Sequence, residues 1–241
     1  MTRLSETDAK KLAERFEHAK PEEILKWAGN EFKGKIALAS SFGLEDVVLI
    51  DLIAKSGADI RIFTIDTGRL HQETYTLMEK IAEKYSIPVE IFFPDTAAVE
   101  AMVNKKGINL FYYSSEARVE CCHVRKVDPL RRALTPLNAW ITGLRREQAP
   151  TRSDIVKVEI DHVNGGIVKI NPIADWTGDQ VLAYLRKNDV PYNPLLDLGF
   201  VSIGCAACTR PIQKGENPRK GRWWWEDEAK KECGLHLNFK K

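Results

Sequence analysis

Residues 35–69 read KIALASSFGLEDVVLIDLIAKSGADIRIFTIDTGR and contain one complete strand–helix–strand unit. The short apolar run Lys35–Ala39 predicts a buried strand, and the apolar segment Asp46–Lys55 predicts a buried helix that ends at Gly57. Asp59–Asp66 predicts a second strand. A helix between two strands is the crossover that parallel pairing needs, so this stretch indicates an α/β fold.

The same alternation continues on the C-terminal side of this unit. We predict a helix at Glu73–Tyr85, a strand at Val89–Phe93 and a helix at Ala97–Lys106. The resulting order predicts a mostly parallel twisted sheet with helices on both faces. Two further helices are expected ahead of the first strand, within residues 1–33.

The second half of the chain repeats this pattern less regularly. It predicts a helix at Val127–Ala133, a strand at Ala139–Leu144 and a helix at Thr177–Asn188. Asn164-Gly165-Gly166 lies between two apolar runs, Ile155–His162 and Ile167–Ile170, which indicates a hairpin. We therefore expect a single nucleotide-binding domain over residues 1–210 and an irregular C-terminal arm over residues 211–241.

Composition excludes several classes of protein. The chain has 241 residues, 44% of them hydrophobic, which is enough for a packed core and excludes a disordered or fibrous chain. The formal net charge is only +2, so nothing global indicates binding to nucleic acid or to a membrane surface. No apolar run reaches the roughly 18 residues of a membrane span, and the N-terminus has no apolar signal-peptide core. We therefore expect a cytoplasmic protein.

Two polar loops follow the first two strands of the predicted sheet. Ligands bind at the carboxyl ends of parallel strands, and small residues before a helix let backbone amides approach an anion. The first loop resembles the pyrophosphate loop of adenine-nucleotide alpha-hydrolase proteins, whose ATP-splitting members carry Ser-Gly-Gly-x-Asp-Ser. Here Phe42 replaces the first glycine and no serine follows Asp46, so an AMP-type ligand is favoured over ATP. The candidate ligand-binding residues are Ser40, Ser41, Phe42 and Gly43 in the first loop and Asp66, Thr67 and Gly68 in the second.

The five cysteines divide into two pairs and one single residue. Cys121 and Cys122 are adjacent, and Cys205 and Cys208 have the C-x-x-C spacing of a metal or redox pair. Four cysteines suit zinc, but adjacent cysteines are awkward ligands for one tetrahedral ion. A cubane iron–sulfur cluster spreads its irons over a larger body. Spacing alone leaves the iron–sulfur cluster, zinc and a redox dithiol open, with Cys233 as a spare thiol.

Five ordered motifs give these residues a family context. Together with Asp66–Leu70, they resemble the assimilatory adenylyl-sulfate (APS) and phosphoadenylyl-sulfate (PAPS) reductases from about Ser40 to His236. The motifs are Glu120-Cys121-Cys122-His123-Val124-Arg125-Lys126, Thr142-Gly143-Leu144-Arg145-Arg146-Glu147-Gln148, Gly204-Cys205-x-x-Cys208-Thr209-Arg210-Pro211, Arg219-x-Gly221-Arg222-Trp223-Trp224-Trp225 and Glu232-Cys233-Gly234-Leu235-His236.

This resemblance implies an activity and a cofactor. The paired-cysteine branch of the family carries a [4Fe–4S] cluster, here on Cys121, Cys122, Cys205 and Cys208, and mostly uses APS. It implies that Cys233 takes the sulfonyl group as S-sulfocysteine, that AMP leaves, and that thioredoxin or glutaredoxin then releases sulfite. It also implies a homo-oligomer.

The resemblance further assigns charged residues to the substrate. Lys126, Arg145, Arg219 and Arg222 would line the phosphosulfate, and His236 would assist the Cys233 thiolate. A PAPS reductase that retains the cluster is the main alternative, and an ATP-pyrophosphatase-type thiolase or ligase is a remote one. Arg118 departs from the histidine that many cluster-bearing relatives have at this position, which puts substrate choice in doubt.

Overall fold

A computed structural model describes residues 4–213 and 215–226 of the chain. Within those residues six strands pair into one sheet. The strands are β1 (Ile36–Ala39), β2 (Arg61–Ile65), β3 (Val89–Phe92), β4 (Ala139–Ile141), β5 (Val158–Asp161) and β6 (Ile167–Ile170).

The sheet has the strand order β3-β2-β1-β4-β6-β5. β1 pairs in parallel with β2 and β4, with Leu38 opposite Ile62 on one side and Ile141 on the other. β4 pairs in parallel with β6, and β5 closes the edge as an antiparallel partner of β6. Chain order changes direction between β1 and β4, which makes the loops after these two strands the expected place for a ligand. The predicted mostly parallel α/β sheet is confirmed.

The helices that accompany the sheet also follow the predicted alternation. Four of the described helices are capped at the N-terminus by side chains typical for that position: Ser5, Asp95, Ser114 and Thr177 each accept a hydrogen bond from a backbone amide of the first turn. The helices are α1 (Glu6–Phe16), α2 (Pro21–Glu31), α3 (Leu44–Ser56), α4 (Gln72–Tyr85), α5 (Thr96–Lys106), α6 (Ser115–Cys122), α7 (Asp128–Leu134) and α8 (Gly178–Lys187).

One predicted element of the second half is confirmed and another needs correction. The helix predicted at Val127–Ala133 is confirmed as α7, and a π-helical turn, His123–Val127, joins it to α6, which was not predicted. The strand predicted at Ala139–Leu144 stops at Ile141, since the Thr142 hydroxyl hydrogen-bonds Asn171 and the chain turns there. The hairpin around Asn164-Gly165-Gly166 is confirmed as the β5–β6 pair.

The chain forms two compact units that alternate along the sequence. The first comprises the residues up to Thr64, Leu77–Glu90 and Leu134–Tyr192; its core includes the nearly fully buried helix α3. The second comprises Ile65–Thr76, Ile91–Ala133 and the residues from Asn193 onward. The single domain predicted over residues 1–210 stays a prediction.

The described part of the predicted arm is irregular. From residue 211 to residue 226 it contains one short 3₁₀ turn, Pro218–Gly221, and one isolated bridge residue, Arg222, opposite Thr209. Of the described helices, none combines the length and the apolar character that a membrane crossing requires.

Candidate functional site

The β1–α3 loop of the first unit is shaped around two buried side chains. Ser40 and Phe42 are both buried, and the Ser40 hydroxyl accepts a hydrogen bond from the Phe42 amide at 3.1 Å. Phe42 has a φ of 58°, in the left-handed region that non-glycine residues seldom adopt. Gly43 then begins α3 as its N-cap, without a side-chain cap of its own.

Asp46, three residues into α3, reaches back to this loop. One of its carboxylate oxygens accepts hydrogen bonds from the Ser41 amide at 2.6 Å and the Ser41 hydroxyl at 2.8 Å. Burial raises the pKa of Asp46 to about 6, although the bonds from Ser41 and the Gly43 amide act in the opposite direction. Asp46 is therefore mostly ionised at neutral pH, but less firmly than an exposed aspartate.

The turn after β4 carries Gly143 and Arg145. The Arg145 guanidinium donates to Glu45 at 2.9 Å and to Glu147 at 3.1 Å, and it also donates to the Trp176 carbonyl. Arg145, which the sequence predicts to bind the substrate, is thus held between two carboxylates.

The loop after β2 belongs to the second unit. Asp66 accepts hydrogen bonds from the Gly68 amide at 2.7 Å and the Tyr75 hydroxyl at 2.9 Å. Burial and, to a smaller extent, the hydrogen bond to Asp66 raise the pKa of Tyr75 to about 12. The Thr67 hydroxyl lies 3.3 Å from the sulfur of Cys205, and its carbonyl accepts from Arg125 at 2.7 Å. Thr67 therefore links a predicted metal ligand to a cation.

The first cysteine pair ends α6. Ser114 caps this helix, and Cys121 and Cys122 form its last turn before the π-helical turn. Pro129 supplies a reason for the widened turn, because a proline lacks the N–H of the α pattern and its ring crowds the carbonyl four residues earlier. Arg125 and Lys126 both fall inside that turn.

The second cysteine pair occupies a tight turn held from two directions. Ala206 donates its amide to the Arg69 carbonyl at 2.8 Å, and the Cys208 carbonyl accepts from the Trp223 amide at 3.2 Å. The Trp223 ring is stacked against two guanidinium groups, with Arg118 at 4.3 Å and Arg222 at 4.8 Å from its centre. The buried Trp223 thus packs the arm against this turn.

All four paired cysteines line one cavity of the second unit. None of the four is part of a disulfide. Cations supply much of the remaining wall. The full lining is Arg69, Phe111, Arg118, Cys121, Cys122, Arg125, Lys126, Cys205, Cys208 and Trp223.

The thiol of Cys205 differs in pKa from those of Cys121 and Cys208. Burial opposes ionisation of Cys205, but Lys126 and the Thr67 hydroxyl outweigh it and hold the pKa of this thiol below its usual value. Burial raises the pKa of Cys121, and it raises that of Cys208 to about 12. The side-chain Nε atoms of Arg125 and Arg222 are buried without a hydrogen-bond partner. Unpaired cationic donors favour an anionic group beside them.

Sequence reasoning missed part of this wall. Arg69 and Arg125 were not predicted as site residues, although Arg125 lies four residues after Cys121, as Lys126 does after Cys122. Arg118, only 2% exposed, donates to Glu226 at 2.7 Å. Among the described residues no group of three or more His, Cys, Asp or Glu side chains is placed to hold a single metal ion. Cys233, His236 and the Arg219 side chain lie outside the description.

The fold and this cavity define a class: an α/β enzyme with a nucleotide-type sheet and a cation-lined group of four thiols. Residues 35–211 match the phosphoadenosine phosphosulfate reductase domain. The chain belongs to the phosphoadenosine phosphosulfate reductase family.

Named relatives and solved structures agree with this assignment. The chain is 49% identical over 203 residues to an adenosine 5'-phosphosulfate reductase from Burkholderia cepacia, covering 84% of this chain and 81% of the relative. It is 48% identical to chloroplastic 5'-adenylylsulfate reductase 3 from Arabidopsis thaliana, over 95% of this chain but only 51% of that protein's length.

Two solved structures share the fold. A phosphoadenylyl-sulfate reductase from Candida auris, crystallised with phosphate, is 33% identical with a TM-score of 0.74, covering 85% of this chain and 97% of that one. A Candida glabrata FMN adenylyltransferase is 16% identical with a TM-score of 0.57, covering 95% of this chain and 80% of that one, a likeness of fold alone.

Proposed function

We propose that this chain is an adenylyl-sulfate reductase that converts APS into sulfite and AMP. The observation that carries the proposal is the cavity lined by four cysteines, none of them in a disulfide, and by four cationic side chains. Relatives named for APS reduction match 84% and 95% of the chain at nearly half identity. We do not propose an ATP-splitting activity. The chain belongs to a reductase family, and its β1–α3 loop lacks the Ser-Gly-Gly-x-Asp-Ser pattern of ATP-splitting proteins.

The proposed first step is a transfer of the sulfonyl group to Cys233. The thiolate attacks the sulfur of APS, an S–S bond forms, and the S–O bond to the phosphate breaks. AMP leaves with the electron pair of that bond, and S-sulfocysteine remains on Cys233. His236, three residues later in the chain, is proposed to assist the thiolate.

The proposed second step uses a dithiol protein of the thioredoxin or glutaredoxin type. One of its thiolates attacks the sulfur of Cys233, sulfite leaves, and a mixed disulfide forms. The second thiol of the partner then releases Cys233 as a thiol. The partner dithiol is oxidised to a disulfide, and its two electrons reduce the sulfur from sulfate to sulfite level.

Cations are needed because a thiolate approaches a group that is already negative. Preorganised positive charge offsets this repulsion and stabilises the charge on the leaving phosphate. We assign this role to Lys126, Arg145, Arg219 and Arg222, with Ser40, Ser41, Phe42, Gly43, Asp66, Thr67 and Gly68 as further substrate-binding residues.

The donor set of the cavity fits a [4Fe–4S] cluster. Four cysteines from two segments line one space, which is the ligand number and chemistry such a cluster takes. The unpaired Nε atom of Arg125 and the surrounding cations suit the negative charge of four thiolates. When bound, the cluster would join the two segments and shape the field around Lys126. Zinc, which also accepts four cysteines, is the weaker candidate, because no such group among the described side chains is placed to hold a single ion.

Mass spectrometry of the intact holoprotein tests the proposed function. Incubation with APS alone should add one sulfonate group to Cys233, and reduced thioredoxin should then remove it with release of sulfite. Cys233→Ser should keep the cluster absorbance and lose the adduct, whereas Cys208→Ser should lose both. An unmodified Cys233 in folded, metal-loaded protein would contradict the proposal.

PAPS is the second candidate substrate, because the Candida auris PAPS reductase shares the fold at 33% identity. The mechanism would be unchanged, with the 3'-phosphorylated nucleotide leaving in place of AMP. Steady-state kcat/KM measured for both nucleotides distinguishes the candidates, and we expect the higher value for APS.

A further inference from the structure

The donors of the β1–α3 loop converge on a carboxylate that belongs to the chain itself. Asp46 accepts from the Ser41 amide at 2.6 Å, from the Ser41 hydroxyl at 2.8 Å and from the Gly43 amide. Between these amides Phe42 adopts a φ of 58°. Backbone N–H groups around a left-handed residue form a concavity that suits an anion. Here an aspartate side chain fills it.

The turn after β4 closes over the other oxygen of this carboxylate. A Cβ atom placed on Gly143 would lie 2.6 Å from Oδ1 of Asp46 and 2.8 Å from the Cβ of Glu45. Such distances leave no space for a methyl group, and a phosphate is larger than a methyl group. Asp46 is accordingly only 7% exposed.

A second negative charge lies beside Asp46. Glu45 is held at the same helix start by Arg145 at 2.9 Å and by the Gln148 amide at 3.0 Å. These contacts fix the carboxylate of Glu45 next to that of Asp46. Because Arg145 offsets the charge of Glu45, the repulsion of an incoming phosphate comes mainly from Asp46, and it is strong where water is excluded.

We propose that Asp46 is a specificity-determining residue that fills the anion site of the β1–α3 loop and so excludes pyrophosphate and nucleoside triphosphates. This loop then meets its ligand through the uncharged part of the nucleotide. The inference rests on the proposed function, because it concerns which nucleotides the same protein admits.

Calorimetric titration of the holoprotein at pH 8 tests this inference, with inorganic pyrophosphate, ATP and AMP as separate ligands. In Asp46→Asn the side chain keeps its shape but loses its charge, and in Asp46→Ser the loop donors are left without a carboxylate. Asp46→Ser should bind pyrophosphate at least tenfold more tightly than the native chain, whereas Asp46→Asn, which still fills the site, should gain much less. The native chain should bind AMP in clear preference to pyrophosphate and ATP.

The control is Asp51→Asn, which neutralises a buried carboxylate of the same helix that is bonded to Tyr85 and Tyr184. It should leave pyrophosphate binding unchanged. Equal pyrophosphate affinity in the native chain and folded Asp46→Ser would overturn the inference. So would native pyrophosphate binding as tight as AMP binding, a measurement that requires no variant. Failure of the native chain to bind AMP would count instead against the proposed function.

Discussion

The buried surroundings of Asp46 disfavour the charged form of its carboxyl group. Burial raises its pKa to about 6, while hydrogen bonds from Ser41 favour the carboxylate and reduce that rise. A raised carboxyl pKa means that the neutral form contributes stability below pH 3.8, the ordinary value, and that this contribution is lost as the pH rises through about 6. The loop therefore retains its internal anion at a cost in folding free energy.

The stability of the native chain should consequently fall relative to Asp46→Asn as the pH rises from about 4 to about 7. The expected relative change is about 3 kcal/mol, because two pKa units correspond to nearly that amount. Urea unfolding of both proteins at several pH values measures it. Ser41→Ala, which removes a bond to the carboxylate, should enlarge the effect; parallel profiles for the native chain and Asp46→Asn would contradict this account.

At the scale of secondary-structure elements, two short segments build the thiol cavity. α6 and its π-helical turn supply Cys121, Cys122 and Lys126, and the 3₁₀ turn Ala206–Cys208, together with Cys205 immediately before it, supplies the second pair. The isolated bridge between Thr209 and Arg222 brings the arm back beside this turn. Gly204, just before the turn, allows the guanidinium of Arg222 to lie close to the backbone.

Gly204→Ala should act on the protein through Arg222. The new Cβ would lie 2.6 Å from Cζ of Arg222, so this flexible side chain must leave its place over Trp223. We expect a tenfold or greater loss of kcat/KM for APS, the size of one charge-assisted hydrogen bond, with a small change in stability. The measurement is a double-mutant cycle with Arg222→Ala, with the absorbance of the proposed cluster unchanged. Independent, additive losses would show that the methyl group does not act through Arg222.

The elements also show what sequence patterns can and cannot predict. Apolar runs and their caps predict β1, α3 and the β5–β6 hairpin, because local burial periodicity decides these elements. They do not predict the π-helical turn His123–Val127, since its register depends on Pro129 and on packing rather than on periodicity. The π-helical turn also contains Arg125, which lines the cavity. The available sequence signal for Arg125 was its spacing of four residues from Cys121.

At the scale of the whole molecule, the chain passes repeatedly between its two compact units. The four paired cysteines all belong to the second unit, whereas the β1–α3 loop and Arg145 belong to the first. Spacing identified the four thiols as one group, because cysteines are rare and chemically distinctive. It did not identify the partners of Arg145, because the ion pairs with Glu45 and Glu147 depend on tertiary contacts.

Removal of the proposed cluster should therefore affect the two units differently. We expect faster amide exchange in α6, its π-helical turn and residues 204–209, which lose their shared anchor. The core strands β1 and β4 should keep their protection. Hydrogen–deuterium exchange with mass spectrometry on holoprotein and chelator-treated protein measures both regions. Equal deprotection of β1 and of α6 would indicate that the thiols stabilise the molecule as a whole.

The separation of the two cysteine pairs along the chain has a consequence for biosynthesis. Eighty-two residues lie between Cys122 and Cys205, and the first unit itself needs the chain as far as Tyr192. A nascent polypeptide emerges from the ribosome N-terminus first. Neither unit can be completed until most of the polypeptide has been made, so insertion of the proposed cluster would be a late event in maturation, after translation has passed Cys208.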